Sequence, residues 1–341
     1  MPCIATAKRV VDPAPTSARG ARPIFIPPVI TKSTADQKST TSPILPKWYM
    51  TLFFCNDMTF QQPNFDRGDF MLRCLVLCLS ILSSSVLAGE PNWQIKEELT
   101  NAVGMTLRLV PAGKFVMGAP DKESRRRVDE PQRDVTLTRS FMISQTEVTQ
   151  SQWFAVMKTK PWAGKTWVRS NPNCAAAYIS WNDAQEFCVA LSRIESSSYR
   201  LPTEAEWEYS CRANSVTPFC FGVDEKKLPE FAFIGVNSFD ISERYSHPVA
   251  QKKANAFGLY DMHGNNWEWC SDRYAVPTAK ASVDPVGPSV GSRRVIKGGS
   301  WHGAATLCRS ACRFKHAPEM KTNDIGFRVV MELPSEPNRV R

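Results

Sequence analysis

The segment 255–269, which reads NAFGLYDMHGNNWEW, constrains the fold more than any other part of the chain. Two glycines, two carboxylates, a histidine and four aromatic residues in so short a stretch are typical of a tight loop wrapped around a bound group. Asp261 and Glu268 supply charged oxygens, while Gly264 and Asn266 allow backbone carbonyls to turn inward. Calcium prefers oxygen ligands of this kind. Because no standard calcium-loop spacing is matched, the pattern alone leaves open both a calcium site and the alternative, a glycine turn flanked by core aromatics.

Composition divides the 341-residue chain into parts. Residues 1–70 are rich in Pro, Ser and Thr without a sustained period, which predicts disorder or an upstream extension mis-assigned ahead of a true start at Met71. Residues 71–88 combine a basic start, an apolar run and small residues ending at Ala88, the form of a secretory signal peptide. The run is shorter than the ~20 residues of a membrane span, so cleavage after Ala88 is favoured over an anchor.

The remaining chain is expected to comprise a linker (89–103), one folded domain (104–334) and a tail (335–341). A signal peptide predicts export to the periplasm or the extracellular space, where disulfides persist. Seven cysteines follow Ala88, an odd number that leaves at least one thiol without an internal partner: Cys174, Cys188, Cys211, Cys220, Cys270, Cys308 and Cys312. The net charge of +9 does not indicate a nucleic-acid partner, since no nucleic-acid motif is present.

Short strands and three capped helices are expected along the domain. Alternation around Leu107, Leu109, Phe115 and Met117 predicts strands, as do 294–296 and 327–330. Thr149 is positioned to cap one helix, and a second begins near Ser180 or Asn182, with Ala184, Phe187, Cys188 and Leu191 on one face. The run from Thr203 to Glu206 is a capping box. Little helix is expected after Cys211.

Ordered motifs along the chain resemble those of the formylglycine-generating enzyme family, also called sulfatase-modifying factors. The match covers about 104–330, and its motifs are 104–105, 110–118, 147–150, 180–184, 200–209, 255–269, 297–301, 308–311 and 325–328. The resemblance implies an α+β fold, the family's variant of the C-type lectin fold, with little regular secondary structure. It says less about activity, because a shared fold does not carry function with it.

The resemblance also implies the ligands of a calcium ion. The family site uses an acid or amide and then the residues three, five and seven positions further on. Here those residues are Asp261, Gly264, Asn266 and Glu268, with carbonyl oxygens expected from the middle two. A second family site would involve Asn237, but the loop carrying its other half is about ten residues shorter here, so that site is not expected.

The copper chemistry implied by the family is incomplete in this sequence. Oxidising members hold copper(I) between two cysteines five positions apart, shortly after a Gly-Gly-Ser, and soft thiolates suit that ion. After Ser300 the cysteines are Cys308 and Cys312, only four apart, and no alignment of the flanking motifs supplies both copper ligands. A structural role is expected instead, as buried thiols or, from the resemblance, as a disulfide with Cys211.

Three hypotheses follow. The first is an exported, calcium-stabilised member without the copper site, which binds a peptide or glycan or serves as an accessory to a sulfatase or other exported protein. Its ligand groove is expected at Ser300, Trp301, His302 and Arg313, which follow or flank Gly-Gly-Ser. The second is an active oxidase that converts a sulfatase cysteine to formylglycine through Cys308 and Cys312. The third is a secreted structural protein with no ligand.

Overall fold

The computed structural model describes residues 97–334. The predicted extension 1–70, the signal peptide 71–88, the linker residues before 97 and the tail 335–341 lie outside the described residues. In chain order the described strands are β1 (Glu98–Thr100), β2 (Thr106–Val110), β3 (Gly113–Met117), β4 (Arg133–Leu137), β5 (Phe141–Ser144), β6 (Tyr199–Arg200), β7 (Trp267–Arg273), β8 (Ser282–Val283), β9 (Arg294–Lys297), β10 (Arg313–His316), β11 (Ile325–Gly326) and β12 (Val330–Glu332).

The strands form three sheets. The largest is antiparallel with the order β1-β2-β5-β12-β6, so the last strand lies between strands from the first half of the domain. A second sheet has the order β10-β9-β7-β11, in which β11 runs parallel to β7 with Ile325 opposite Trp267. The third has the order β3-β4-β8. The loop 255–266, in which the calcium site is predicted, is called the calcium-type loop below. It leads directly into the second sheet, because β7 begins at Trp267.

The folded domain begins earlier than the sequence predicts. Strand β1 falls inside the expected linker 89–103, and it pairs with β2 so that Leu99 lies opposite Leu107. Asn101 then accepts hydrogen bonds from the backbone amides of Val103 and Met105 through its side-chain oxygen. The linker boundary therefore needs correction: at least residues 98–103 belong to the domain.

Four helices are described: α1 (Gln150–Met157), α2 (Trp181–Glu195), α3 (Glu204–Arg212) and α4 (Leu228–Phe231). Thr149, Ser180 and Thr203 each cap one of the first three, in reciprocal boxes with the third helical residue. These starts confirm the sequence predictions, since capping depends on neighbours within one turn. After α3 the described helices are α4 and short 3₁₀ turns, as expected.

Apolar faces of these helices close the core between the sheets. The predicted face of α2 is buried, and Phe187 packs its ring against Trp153 of α1 and against Phe327. The predicted strand 327–330 is only partly formed, because β12 starts at Val330, while Phe327 enters the core between β11 and β12. Within residues 97–334, no helix is long and apolar enough to cross a bilayer.

Candidate functional site

The loop before β7 turns sharply around its own backbone. Asp261 and Asn265 have left-handed φ angles of 58° and 59°, and Gly264 has a φ of 127°. A Cβ at Gly264 would lie 2.4 Å from the carbonyl oxygen of Phe233, so only glycine fits. Local sequence thus folds this segment into the wrapped loop that its composition predicts.

Asp261 places an unsatisfied oxygen inside the protein. Its Oδ2 accepts a hydrogen bond from the Ala250 amide at 2.8 Å, whereas its Oδ1 is buried without a hydrogen-bond partner among residues 97–334. Burial raises the pKa of Asp261 to about 6. A buried, unpaired carboxylate oxygen is costly unless a cation or a proton neutralises it, so Asp261 fits the predicted role of a calcium ligand.

Glu268, by contrast, is already engaged. Its carboxylate accepts hydrogen bonds from Arg328 at 2.6 Å and 2.7 Å and from the indole nitrogen of Trp207 at 2.7 Å. Glu268 and Arg328 are both fully buried. A calcium ion would therefore have to share the Glu268 carboxylate with the Arg328 guanidinium, and the role of Glu268 as a calcium ligand stays a prediction.

A third buried carboxylate, Glu147, faces the same loop. Its oxygens accept from the Asn266 amide at 2.8 Å and from the Asn265 side chain at 2.7 Å. Burial and the nearby charge of Asp261 raise its pKa well above the ordinary value. Glu147 opens the motif 147–150, but its partnership with a loop more than a hundred residues away has no signal in one sequence.

The other two predicted calcium ligands are backbone carbonyl oxygens. Within residues 97–334, the carbonyl oxygens of Gly264 and Asn266 accept no backbone or side-chain hydrogen bond, whereas the Asn266 side-chain oxygen accepts from Ser246 at 2.6 Å. No three His, Cys, Asp or Glu side chains in this range converge as metal ligands. An ion here would therefore depend on carbonyl oxygens and Asp261, a donor set that suits calcium.

The structure buries both cysteines of the copper hypothesis. Cys308 packs against Phe219 and Ile234, and Cys312 belongs to the main core with Phe187. Burial raises the pKa of Cys308 well above the usual range and that of Cys312 to about 11. Both thiols are therefore disfavoured as thiolates, the form that copper(I) binds.

Cys211 has a serine rather than a cysteine as its close partner. Its sulfur lies 3.5 Å from the Ser310 hydroxyl, and all seven described cysteines are free thiols. Six of the seven are buried, and Cys220 is half-buried. The disulfide that the resemblance implies between Cys211 and the Cys308 region is not formed, because Ser310 occupies the facing position.

Of the four predicted groove residues, only His302 is exposed. Ser300 and Trp301 are fully buried, and Arg313 is buried in a bidentate ion pair with Glu204 at 2.7 Å. These three side chains therefore do not line a ligand groove, and the prediction that they do needs correction. His302 donates to or accepts from Asp324 at 2.9 Å, a partner that sequence reasoning missed.

The His302–Asp324 pair carries a protonation-sensitive charge. The hydrogen bond that His302 donates to Asp324 raises the pKa of His302 above its ordinary value, against the effect of burial. Burial opposes ionisation of Asp324, but hydrogen bonds from His302 and Thr322 prevail and lower its pKa. When the imidazole is protonated, the pair is an imidazolium–carboxylate contact, and the His302 ring lies 4.8 Å from the ring of Trp301.

Comparison with known proteins places the domain in a family. The model of the sulfatase-modifying factor enzyme 1-like domain matches residues 95–333. The chain is 29% identical to the formylglycine-generating enzyme of Bos taurus over 286 residues, which are 66% of this chain and 75% of that protein. The match begins before β1, in agreement with the corrected domain start.

Two solved structures share the fold over nearly their whole length. PvdO from Pseudomonas aeruginosa is 32% identical with a TM-score of 0.62, covering 69% of this chain and 98% of PvdO. Treponema denticola variable protein 1 is 27% identical with the same TM-score, covering 69% of this chain and 99% of that protein. These similarities confirm the predicted α+β fold.

Proposed function

The chain belongs to the sulfatase-modifying factor family, and from this premise we propose that it is a calcium-stabilised binding or accessory domain without the copper dithiolate of the oxidising members. The observation that carries the proposal is the full burial of Cys308 and Cys312, which raises the pKa of both thiols and so disfavours the thiolate form. A dithiolate needs two sulfurs that face one ion, and these two are four positions apart, buried and disfavoured as thiolates.

Calcium is proposed at the loop before β7. Asp261 would offer its unpaired Oδ1, Gly264 and Asn266 their free carbonyl oxygens, and Glu268 a carboxylate shared with Arg328. Glu147, Asp261 and Glu268 place three buried carboxylates against one guanidinium. A divalent cation would relieve that imbalance and fix the loop, and its role would be structural.

The proposed ligand is a peptide or glycan presented by a sulfatase or another exported protein, close to His302. The exposed imidazole and the half-buried ring of Phe239, 6.5 Å away, offer a charged and an apolar contact side by side.

Export to the periplasm or extracellular space is proposed from the signal-peptide pattern at 71–88. Amino-terminal sequencing of the secreted protein is expected to show that the mature chain begins near Gly89.

The experiment that tests the missing oxidase supplies copper(I), oxygen and a reductant to the purified domain together with a Cys-x-Pro-x-Arg peptide. We expect mass spectrometry to find the peptide unconverted, and copper(I) to bind no more tightly to the natural protein than to Cys308→Ser. Cys188→Ser is the matched control, since Cys188 is another buried thiol in the core. Formylglycine made by the natural protein and lost in Cys308→Ser would overturn the proposal.

The second candidate, an active oxidase for a sulfatase cysteine, is favoured by the similarity to the Bos taurus enzyme. It requires Cys308 and Cys312 to bind copper(I) as thiolates, although burial raises the pKa of both thiols. Copper(I) protection of both thiols from alkylation would support it. Alkylation of Cys220 alone in the folded protein, with or without copper(I), would support the binding role.

A further inference from the structure

A cavity of about 300 Å³ lies between the 275–288 loop and the strands beside it. Glu204 at the start of α3, Asp272 and Arg273 at the end of β7, and Arg133 of β4 contribute to its wall. Arg313 also lines it, but the cavity includes no residue of the calcium-type loop. Its volume is at the lower end of the range for small-molecule sites.

The loop over the cavity is fixed at both ends. Arg313 donates to the Ala275 carbonyl at 2.7 Å, and β8 within the loop pairs with β4. Asp284 completes the second anchor, because its carboxylate accepts from the Thr138 amide at 2.8 Å. Hydrogen bonds and strand pairing therefore hold in place the wall of the cavity that this loop forms.

The acidic groups of the cavity are already committed. Both oxygens of Glu204 bind Arg313 at 2.7 Å. Asp272 accepts from the Glu204 amide at 2.9 Å and from the Ser271 hydroxyl at 3.2 Å. Burial, followed by the charge of Glu204, raises the pKa of Asp272 to about 7, so at neutral pH it carries only part of a charge.

The basic groups, by contrast, are not neutralised. Arg133, Arg273 and Lys280 line the cavity, and none forms an ion pair with a carboxylate of residues 97–334. Arg133 donates to the sulfur of Met117 at 3.1 Å, and Arg273 to the Gly291 carbonyl at 2.5 Å. Beside the cavity, burial and the charge of Arg273 lower the pKa of Arg294, a sign of excess positive charge.

We propose that this cavity binds a small molecule through a carboxylate or sulfate group held by Arg133 and Arg273, with Lys280 at the exposed rim. A guanidinium presents parallel N–H groups that match the two oxygens of such an anion. The site is separate from the calcium loop and from His302, so it is independent of the function proposed above.

Asp272 links the affinity of this site to pH. The charged groups that interact with it or line the cavity beside it are Glu204, Glu206, Arg133, Arg273, Lys280, Arg294 and Arg313. Below pH 7 Asp272 is protonated and does not repel an anion, whereas above pH 7 it ionises and opposes binding. Affinity is therefore expected to fall as the pH rises from 6 to 8.

The test is calorimetric titration of the purified chain with succinate and, separately, with inorganic sulfate at low ionic strength. Arg133→Gln/Arg273→Gln is expected to weaken binding of the preferred anion by at least about tenfold. The control Arg125→Gln/Arg193→Gln removes the same charge from exposed positions outside the cavity and should bind like the natural protein. Circular dichroism and melting temperature establish that each variant is folded.

A second comparison isolates Asp272. Asp272→Asn keeps an oxygen for the Glu204 amide and is expected to remove the loss of affinity between pH 6 and pH 8. Absence of saturable binding of either anion to the natural protein, or equal weakening in the control variant, would overturn the site. An unchanged pH dependence in Asp272→Asn would overturn the role of Asp272.

Discussion

Arg328 donates two hydrogen bonds to the carboxylate of Glu268, from Nε at 2.6 Å and from Nη2 at 2.7 Å. The remaining donors reach the carbonyls of Ser144, at the end of β5, and Tyr260, in the calcium-type loop. Through these contacts Arg328 connects β5, β7 and the loop at one point, and both side chains of the pair are fully buried. It also sets how much of the Glu268 charge remains for an ion.

Arg328→Lys is expected to destabilise the domain by about 3 kcal/mol or more, because the ammonium cannot reproduce the bidentate contact and leaves Glu268 partly uncompensated. Urea unfolding monitored by circular dichroism measures this. Arg108→Lys is the control, since Arg108 pairs with Glu98 at a partly exposed edge and should lose less than about 1 kcal/mol. Equal losses in the two variants would contradict the role assigned to Arg328.

Calcium removal is expected to lower the melting temperature, since an ion that binds only the folded state stabilises it by mass action. Asp261→Ala should melt at the same temperature with calcium and with chelator. Asp240→Ala, which removes an exposed acid, should keep the full calcium effect. Differential scanning calorimetry measures these melting temperatures. If chelator leaves the melting temperature of the natural protein unchanged, the proposed calcium site is wrong.

The features predicted well from sequence are those fixed by near neighbours. Thr149 and Thr203 begin their helices as predicted, and Ser180 is one of the two starts expected for its helix; each cap bonds a residue three positions away. The wrapped loop at Gly264 was also predictable, since a positive φ favours glycine.

The features predicted poorly depend on distant partners. Trp301 and Arg313 have the residue types of binding hot spots, yet the fold buries both, and Arg313 faces Glu204 at a separation of 109 residues. Likewise, only the folded chain shows that Ser310 faces Cys211 and that Glu147 meets Asn266. One sequence does not specify which side chains meet across the core.

Gly264→Ala is expected to cost several kcal/mol, because a methyl group 2.4 Å from the Phe233 carbonyl adds a clash to an unfavourable φ. Gly164→Ala is the matched control: its φ of 72° is also positive, but no atom lies within 4 Å of the added Cβ. That variant should lose only about 1 kcal/mol. Chemical denaturation of both proteins checks the difference, and comparable stabilities would mean that the loop relaxes around the methyl group.

Proton NMR of the imidazoles is expected to separate His302 from His247 and His316. The hydrogen bond to Asp324 raises the pKa of His302 above its ordinary value, whereas burial lowers the pKa of His316 and brings that of His247 to about 4. Asp324→Asn should bring the His302 pKa down to the ordinary value or below it, with little change at His247.

The raised pKa of His302 also makes the stability of the fold depend on pH. Because the folded pKa of His302 exceeds the unfolded value of about 6.5, the pair stabilises the fold fully below that pH and loses the contribution as the pH rises through the folded pKa. With the imidazole 42% exposed, the contribution is below about 1 kcal/mol. Urea midpoints should therefore fall slightly more between pH 6 and pH 8 for the natural protein than for Asp324→Asn. A larger fall in Asp324→Asn would show that Asp324 does not stabilise the charged imidazole.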